Sequence, residues 1–142
     1  MLAVLVAILL IPRSALAQED VSLYDERGNA VAYIAPDDGR TIFLWGGKAV
    51  AYLQGDAPDI HDVYGFNGRL LGRLTEGLII DMEGKTLCAT AAQMEARQPD
   101  PPKPAKEFVP FKAYPKFGPP RVAPTSICSE RGCATSLSIG RE

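Results

Sequence analysis

Short runs of β-forming residues that mix apolar and polar positions recur in four copies between residues 21 and 90. The copies align without gaps as residues 24–34 (YDERGNAVAYI), 43–53 (FLWGGKAVAYL), 64–74 (YGFNGRLLGRL) and 80–90 (IDMEGKTLCAT). The fifth position of each copy is a glycine, in order Gly28, Gly47, Gly68 and Gly84. A large apolar side chain stands four residues before each glycine, and Val or Leu follows three residues after it. The pattern predicts four β-hairpins, each with a glycine in its turn.

The residues around the glycines predict two kinds of turn. Gly68 follows Asn and Gly47 follows Gly, and both dipeptides are typical of tight hairpin turns. The other two follow Arg or Glu, which indicates a longer turn with glycine in the left-handed conformation. No part of residues 21–90 has an apolar period of 3.6 residues long enough for a helix. This stretch is therefore predicted to be all-β, with about eight short strands.

One column of the repeat holds only small residues, although its neighbours hold large ones. It lies four positions after the glycine and consists of Ala32, Ala51, Gly72 and Cys88. Small residues at equivalent positions indicate strands that converge on a shared axis. A single hairpin cannot bury its apolar face, so we expect the four to close with pseudo-four-fold symmetry. The alternative is an open meander sheet in which the small residues recur only through shared ancestry.

The order of the motifs carries a resemblance. YD precedes the first glycine, LW the second, YGFNG surrounds the third, and D-x-x-G contains the fourth. In this order the stretch of about residues 21–90 resembles the four-fold β-flower domain of bacteria. The resemblance implies a compact pseudo-four-fold β fold and no particular activity. The sequence departs from the family's pattern at Arg73, where a second aromatic residue is expected, and at Cys88.

Ahead of the repeats, residues 2–11 form an unbroken apolar run, followed by a Pro-Arg-Ser break and Ala15-Leu16-Ala17. Small residues at these positions fit a signal peptidase, so residues 1–17 are predicted to be a signal peptide cleaved between Ala17 and Gln18. No basic residue precedes the run. Ten apolar residues are too few to span a bilayer. We expect an exported chain, periplasmic or secreted, that does not span the membrane after processing; the alternative is a buried N-terminal element.

Composition divides the mature chain into a domain of residues 18–90 and a tail of residues 91–142. The domain carries 6 basic and 12 acidic side chains, the tail 8 basic and 5 acidic, and the tail holds nine of the twelve prolines. Such a proline-rich segment favours extended polyproline structure. Phe108, Phe111, Tyr114 and Phe117 recur at every third residue among lysines. We expect a disordered linker; the alternative is that these rings cover the acidic domain or dock elsewhere.

Three cysteines are an odd number for an exported chain. Cys128 and Cys133 enclose a short loop with Gly132, while Cys88 belongs to the small-residue column and is expected to be buried beyond the reach of the tail. The sequence therefore predicts a Cys128–Cys133 disulfide. Free thiols or a metal site are the alternatives, and two thiols without a nearby histidine make a poor zinc site.

No catalytic, cofactor or metal site is predicted. The sole histidine, His61, lies between aspartates in a loop, and no G-x-S-x-G motif is present. The Asp56–Asp62 loop lacks the ligand spacing of an EF-hand. The basic residues do not form a nucleic-acid footprint. The repeat aromatics are expected to be core residues, with ligand contact as the alternative. The candidates for such contact are Trp45, Tyr33, Tyr52 and Tyr64.

These features favour a small exported module that binds or spaces other molecules without catalysis. A carbohydrate-binding module that uses the repeat aromatics is one alternative, and an enzyme with an unrecognised site is another. The partner is not specified by the sequence; an envelope protein or a glycan is compatible with it, and nucleic acid is not expected.

Overall fold

Eight antiparallel strands form a closed barrel in which each strand pairs with its neighbours in chain order, and β8 pairs with β1. The computed structural model describes residues 18–117, 122–125 and 128–142, so the predicted signal peptide lies outside the described residues. The strands are β1 (Val21–Tyr24), β2 (Ala30–Ala35), β3 (Thr41–Leu44), β4 (Ala49–Gln54), β5 (Ile60–Gly65), β6 (Leu70–Thr75), β7 (Leu78–Ile80) and β8 (Thr86–Thr90). The predicted all-β fold of four closed hairpins is confirmed.

All four hairpins share one turn geometry. In each, the glycine N–H donates to the carbonyl three residues earlier, at 2.8 to 3.1 Å, and the strand register shifts beside the turn. This is a hairpin turn that ends in a glycine bulge. The backbone φ is +97° at Gly47 and +82° at Gly68, where side chains other than glycine are strained. The expectation of two turn types is therefore wrong: the residue before the glycine does not change the turn.

The small-residue column faces the interior of the barrel. Ala32 and Ala51 have no exposed surface, Cys88 is 1% exposed, and Gly72 is buried. Each small residue lies opposite a large one on the preceding strand, in the pairs Leu23–Ala32, Ile42–Ala51, Val63–Gly72 and Ile79–Cys88. The interior is thus filled by one large and one small side chain from each hairpin.

We expect Ala51→Leu to overpack this interior and lower the free energy of unfolding by about 1–3 kcal/mol. The exposed turn residue Lys48 provides the control, since Lys48→Leu adds an apolar side chain without entering the core. Thermal melting of the two variants measures the difference. Equal midpoints would contradict the tight axial packing.

A short C-terminal helix, α1 (Cys133–Ser138), adds to the same core. Cys133 is 2% exposed and Leu137 is fully buried in the cluster that contains Ile42 and Val63. Two hydrogen bonds join the hairpins to the residues after the helix: Asn67 Nδ2 donates to the Ile139 carbonyl at 2.8 Å, and the Arg141 guanidinium donates to the Ala49 carbonyl at 2.8 Å. The sequence pattern did not predict this helix. It supplies apolar volume that the short hairpins lack.

Candidate functional site

The proline-rich segment passes the four hairpin turns in chain order and bonds to each of them. We call residues 96–117 and 122–125 the belt. Its backbone N–H groups donate to the carbonyls of the turn glycines, in the pairs Gln98–Gly28, Glu107–Gly47, Lys116–Gly68 and Thr125–Gly84, each at 2.8 Å. The four donors are spaced by nine residues. The belt is therefore a repeat of its own, with one nine-residue unit for each hairpin.

The belt backbone also approaches the turn glycines closely. A Cβ atom added to Gly28, Gly47, Gly68 or Gly84 would lie within 3.0 Å of a belt carbonyl oxygen. These oxygens belong to Ala96, Ala105, Tyr114 and Ala123, again nine residues apart. The glycines thus serve two needs, a positive φ and close backbone approach. The expectation of an unattached linker is wrong for the described part of the tail.

Beneath the belt lies a second apolar cluster, on the outer face of the sheet. It contains Tyr33, Phe43, Tyr52, Tyr64 and Phe66, and Val109 of the belt packs against it. Three belt lysines lie over its rings: the ammonium of Lys103 is 4.3 Å from the Tyr33 ring centre, that of Lys106 is 5.4 Å from the Phe43 ring centre, and that of Lys112 is 4.3 Å from the Tyr52 ring centre. Burial raises the pKa of both tyrosines. The belt therefore covers the outer face with backbone, proline and lysine stems.

This cover decides between the two roles considered for the repeat aromatics, the expected core role and the alternative of ligand contact. Tyr33, Tyr52 and Tyr64 are only 0%, 3% and 8% exposed, and Trp45 is half-buried against Tyr33 in an edge-on contact. A ring that stacks on a sugar must have an open face. The structure buries these rings, in agreement with the expected core role, and the alternative of ligand contact is wrong for them.

Hydrogen bonds and ion pairs hold the first unit of the belt. The Tyr24 hydroxyl donates to the Asp100 carboxylate at 2.6 Å and accepts from Arg97 at 2.9 Å, and Ser22 donates to Asp100 at 2.8 Å. The bond from Tyr24 is the main cause of an Asp100 pKa below its ordinary value. Farther along, the Lys106 ammonium donates to Asp38 at 2.7 Å, and this bond raises the lysine pKa.

Tyr24→Phe should therefore raise the pKa of Asp100 toward that of an unfolded aspartate. Because the folded-state pKa is lowered, the stabilisation from Asp100 is present above the unfolded pKa and is lost as the pH falls through the folded pKa. We expect the variant to be less stable than the wild type at pH 7, with the difference vanishing in acid. An NMR titration of the Asp100 carboxyl carbon measures the shift. Tyr114→Phe, at an exposed belt residue, should leave this titration unchanged. An Asp100 pKa in Tyr24→Phe equal to that of the wild type would contradict the assignment, since only the bond from Ser22 and the charges of Arg97 and Lys103 should remain to lower it.

The belt directs its own aromatic rings away from the barrel. Phe108, Phe111, Tyr114 and Phe117 are 82%, 92%, 95% and 106% exposed. We call these four residues the aromatic row. The alternative in which these four rings cover the acidic domain is therefore not realised, since Val109 and the lysine stems lie against it instead. The row is the largest exposed apolar feature among the described residues.

Comparison with known families agrees with this architecture. The model of the 4-fold beta flower protein family matches residues 21–137. This chain belongs to that family. The match includes the belt and most of α1, so the β-flower unit extends well beyond the hairpins at which the sequence resemblance ended. Neither a curated protein nor a solved structure shows significant similarity to the chain.

The third hairpin of this β-flower chain departs from the first two. Arg73 occupies the position that Tyr33 and Tyr52 hold in theirs, five residues after the glycine. It is 7% exposed, and its Nε donates to the Asp62 carboxylate at 2.9 Å. At this position the third hairpin thus carries an ion pair where the first two carry an aromatic ring.

The cysteine pairing also needs correction. Cys88 and Cys133 form the disulfide, with their Cα atoms 5.0 Å apart, while Cys128 is exposed and free. The predicted Cys128–Cys133 pair does not form, because α1 carries Cys133 into the barrel core beside Cys88. Cys128 forms an isolated β-bridge with Thr86 outside that core. Cys88 is buried as predicted, and the helix α1, which was not predicted, brings Cys133 to it.

A groove of about 660 Å³ lies beside this disulfide. Its walls include Arg27, Leu78, Met94, Cys128 and Arg131. His61 lies beside Asp62 in strand β5, so the assignment of this histidine to a loop is wrong. Burial is the main cause of the lowered pKa of His61, followed by the charge of Arg40, while Asp62 opposes the shift.

The described residues contain neither a metal-binding cluster nor a membrane-spanning helix. In the part of the chain that the structure covers, no three His, Cys, Asp or Glu side chains come together as a metal site. Over the same residues, no helix is long and apolar enough to cross a bilayer.

Proposed function

We propose that this β-flower chain is an exported, non-catalytic module that binds or spaces other components of the cell envelope. One observation carries the proposal: the belt covers the aromatic cluster on the outer face of the barrel and exposes the aromatic row to solvent. A row of exposed rings on a fixed backbone suits contact with another surface, because exposed apolar patches mark sites of interaction. Catalysis would need convergent polar groups in a pocket.

Export is supported by two independent features. The apolar run and Ala15-Leu16-Ala17 fit a cleaved signal peptide, and the Cys88–Cys133 disulfide is typical of oxidising compartments. N-terminal sequencing of the protein from the exported fraction tests this directly. We expect the mature chain to begin at Gln18 with Cys88 and Cys133 oxidised. A protein that remains in the cytoplasm with residues 2–11 attached would overturn the proposed export.

The non-catalytic part of the proposal needs its own test. The processed protein is incubated with soluble and insoluble envelope fractions, and both the bound material and the composition of the fractions are followed by mass spectrometry. We expect association without chemical change. Consumption of a component by the native protein, but not by a heat-denatured sample, would contradict the proposal and favour an enzyme. The groove beside the disulfide would then be the first place to search.

A further inference from the structure

The aromatic row gives the proposed binding module a more specific partner. We propose that the row of Phe108, Phe111, Tyr114 and Phe117 docks on the surface of an anionic lipid bilayer. This inference rests on the proposed function, since it names the partner of the same surface.

The row is held in place before any partner arrives. Glu107 N–H bonds to the Gly47 carbonyl, Ala113 N–H to that of Phe66, and Lys116 N–H to that of Gly68, all at 2.8 Å. These bonds fix the backbone between and around the rings to two neighbouring hairpins. A surface ordered in advance loses less conformational entropy on binding. A free proline-rich tail with the same sequence would have to be ordered by its partner.

The charges around the row favour an anionic partner. The carboxylates of Asp20 and Asp38 form ion pairs with Lys103 and Lys106 at the start of the segment. Among the described residues, no carboxylate forms an ion pair with Lys112 or Lys116, the two lysines between the rings. Because the barrel itself, residues 18–90, carries 12 acidic and 6 basic side chains, the attraction to an anionic surface must come from the lysines of the belt and not from the barrel. Lysines near a bilayer that contains anionic lipid are attracted to it.

The rings themselves favour lipid over sugar. Three of the four are phenylalanines, which have no polar group to bond a hydroxyl, and each ring of the row is more than 80% exposed. A sugar-binding ring lies flat on the protein with one face covered. Rings that project with both faces open can enter the boundary between headgroups and acyl chains, where aromatic and basic residues together give peripheral binding.

Vesicle sedimentation tests the proposal, with the processed protein purified from cells. Vesicles of phosphatidylglycerol and phosphatidylethanolamine are compared with vesicles of phosphatidylcholine. We expect binding to the anionic vesicles, weaker binding to the neutral ones, and weakening by salt and by Lys116→Gln. The combined variant Phe108→Ser, Phe111→Ser, Tyr114→Ser and Phe117→Ser should bind the anionic vesicles at least about tenfold more weakly. Because these side chains are exposed, its melting midpoint should stay close to that of the wild type.

The control is Val21→Ser, which removes an exposed apolar side chain outside the row, 39% exposed on β1, and should leave vesicle binding unchanged. All variants share one N-terminus, so any difference between them comes from the row. The lipid proposal is overturned if the wild type does not bind anionic vesicles, or if the folded four-serine variant binds them equally well. Row-dependent binding to insoluble cell-wall polysaccharide, without binding to vesicles, would overturn it and leave the binding-module function standing.

Discussion

A chain that ends at Glu95 will show no cooperative thermal unfolding, because the hairpins alone do not complete the core. The truncation uncovers the outer cluster, in which Tyr33 and Phe43 are at most 1% exposed, and removes Leu137 from the interior. It also removes Cys133, and the disulfide with Cys88, which closes a separation of 45 residues, contributes about 4 kcal/mol in the chain-entropy account. A small domain has only about 5–15 kcal/mol of stability in total. Circular dichroism during heating measures the outcome.

The control for this truncation keeps the belt and removes only the disulfide. We expect the full chain with Cys88→Ala and Cys133→Ala to melt cooperatively at a lower midpoint, since the belt bonds to the turn glycines remain. A truncated chain that melts within a few degrees of the full chain would show instead that the hairpins form an independent domain.

Gly47→Ala should lower the free energy of unfolding by about 3 kcal/mol or more, because two separate penalties fall on one position. The backbone φ of +97° strains any residue with a Cβ atom. The new methyl group would also meet the Ala105 carbonyl oxygen of the belt. To relieve this contact the belt must move, which breaks the bond from Glu107 N–H to the Gly47 carbonyl. Denaturant unfolding gives the free-energy change.

Gly39 provides a matched control, since it separates the strain from the contact. Its φ is +68°, but no atom would lie within 4 Å of an added Cβ. Gly39→Ala should therefore cost only the conformational penalty, about 1 kcal/mol. Equal losses at Gly39 and Gly47 would contradict a role for the belt at the turn.

The hairpins could be predicted because each carries its own complete signal. A turn glycine, a large residue before it and a small residue after it appear in all four copies, and closure follows from the need to bury an apolar face. The belt carries an equally regular signal that the proline content hides. Its nine-residue period is visible in the sequence as Pro101, Pro110 and Pro119, as Lys103, Lys112 and Arg121, and as Ala96, Ala105 and Ala123. The nine-residue period of the belt was therefore predictable from the sequence, like the repeat of the hairpins.

The orientation of the rings and the cysteine pairing could not be read in the same way. A three-residue spacing places Phe108, Phe111 and Tyr114 on one side of an extended chain, but it does not say whether that side faces the barrel. The side of the belt that faces the barrel is set by the backbone bonds to the turn glycines, which turn Val109 inward. Likewise, the burial of Cys88 gave no sign of its partner, because the helix that brings Cys133 to it depends on the whole core.

Native-state hydrogen exchange of the belt amides tests the central claim most directly, namely that belt and hairpins form one cooperative fold with one belt unit for each hairpin. We predict strong protection at Gln98, Glu107, Lys116 and Thr125, the four amides that donate to turn glycines. The amides of Phe108 and Phe111, which have no acceptor among the described residues, should exchange much faster. Protection that recurs every nine residues and approaches the global stability would agree with the account. Exchange of all belt amides at the rate of an unstructured peptide would contradict it.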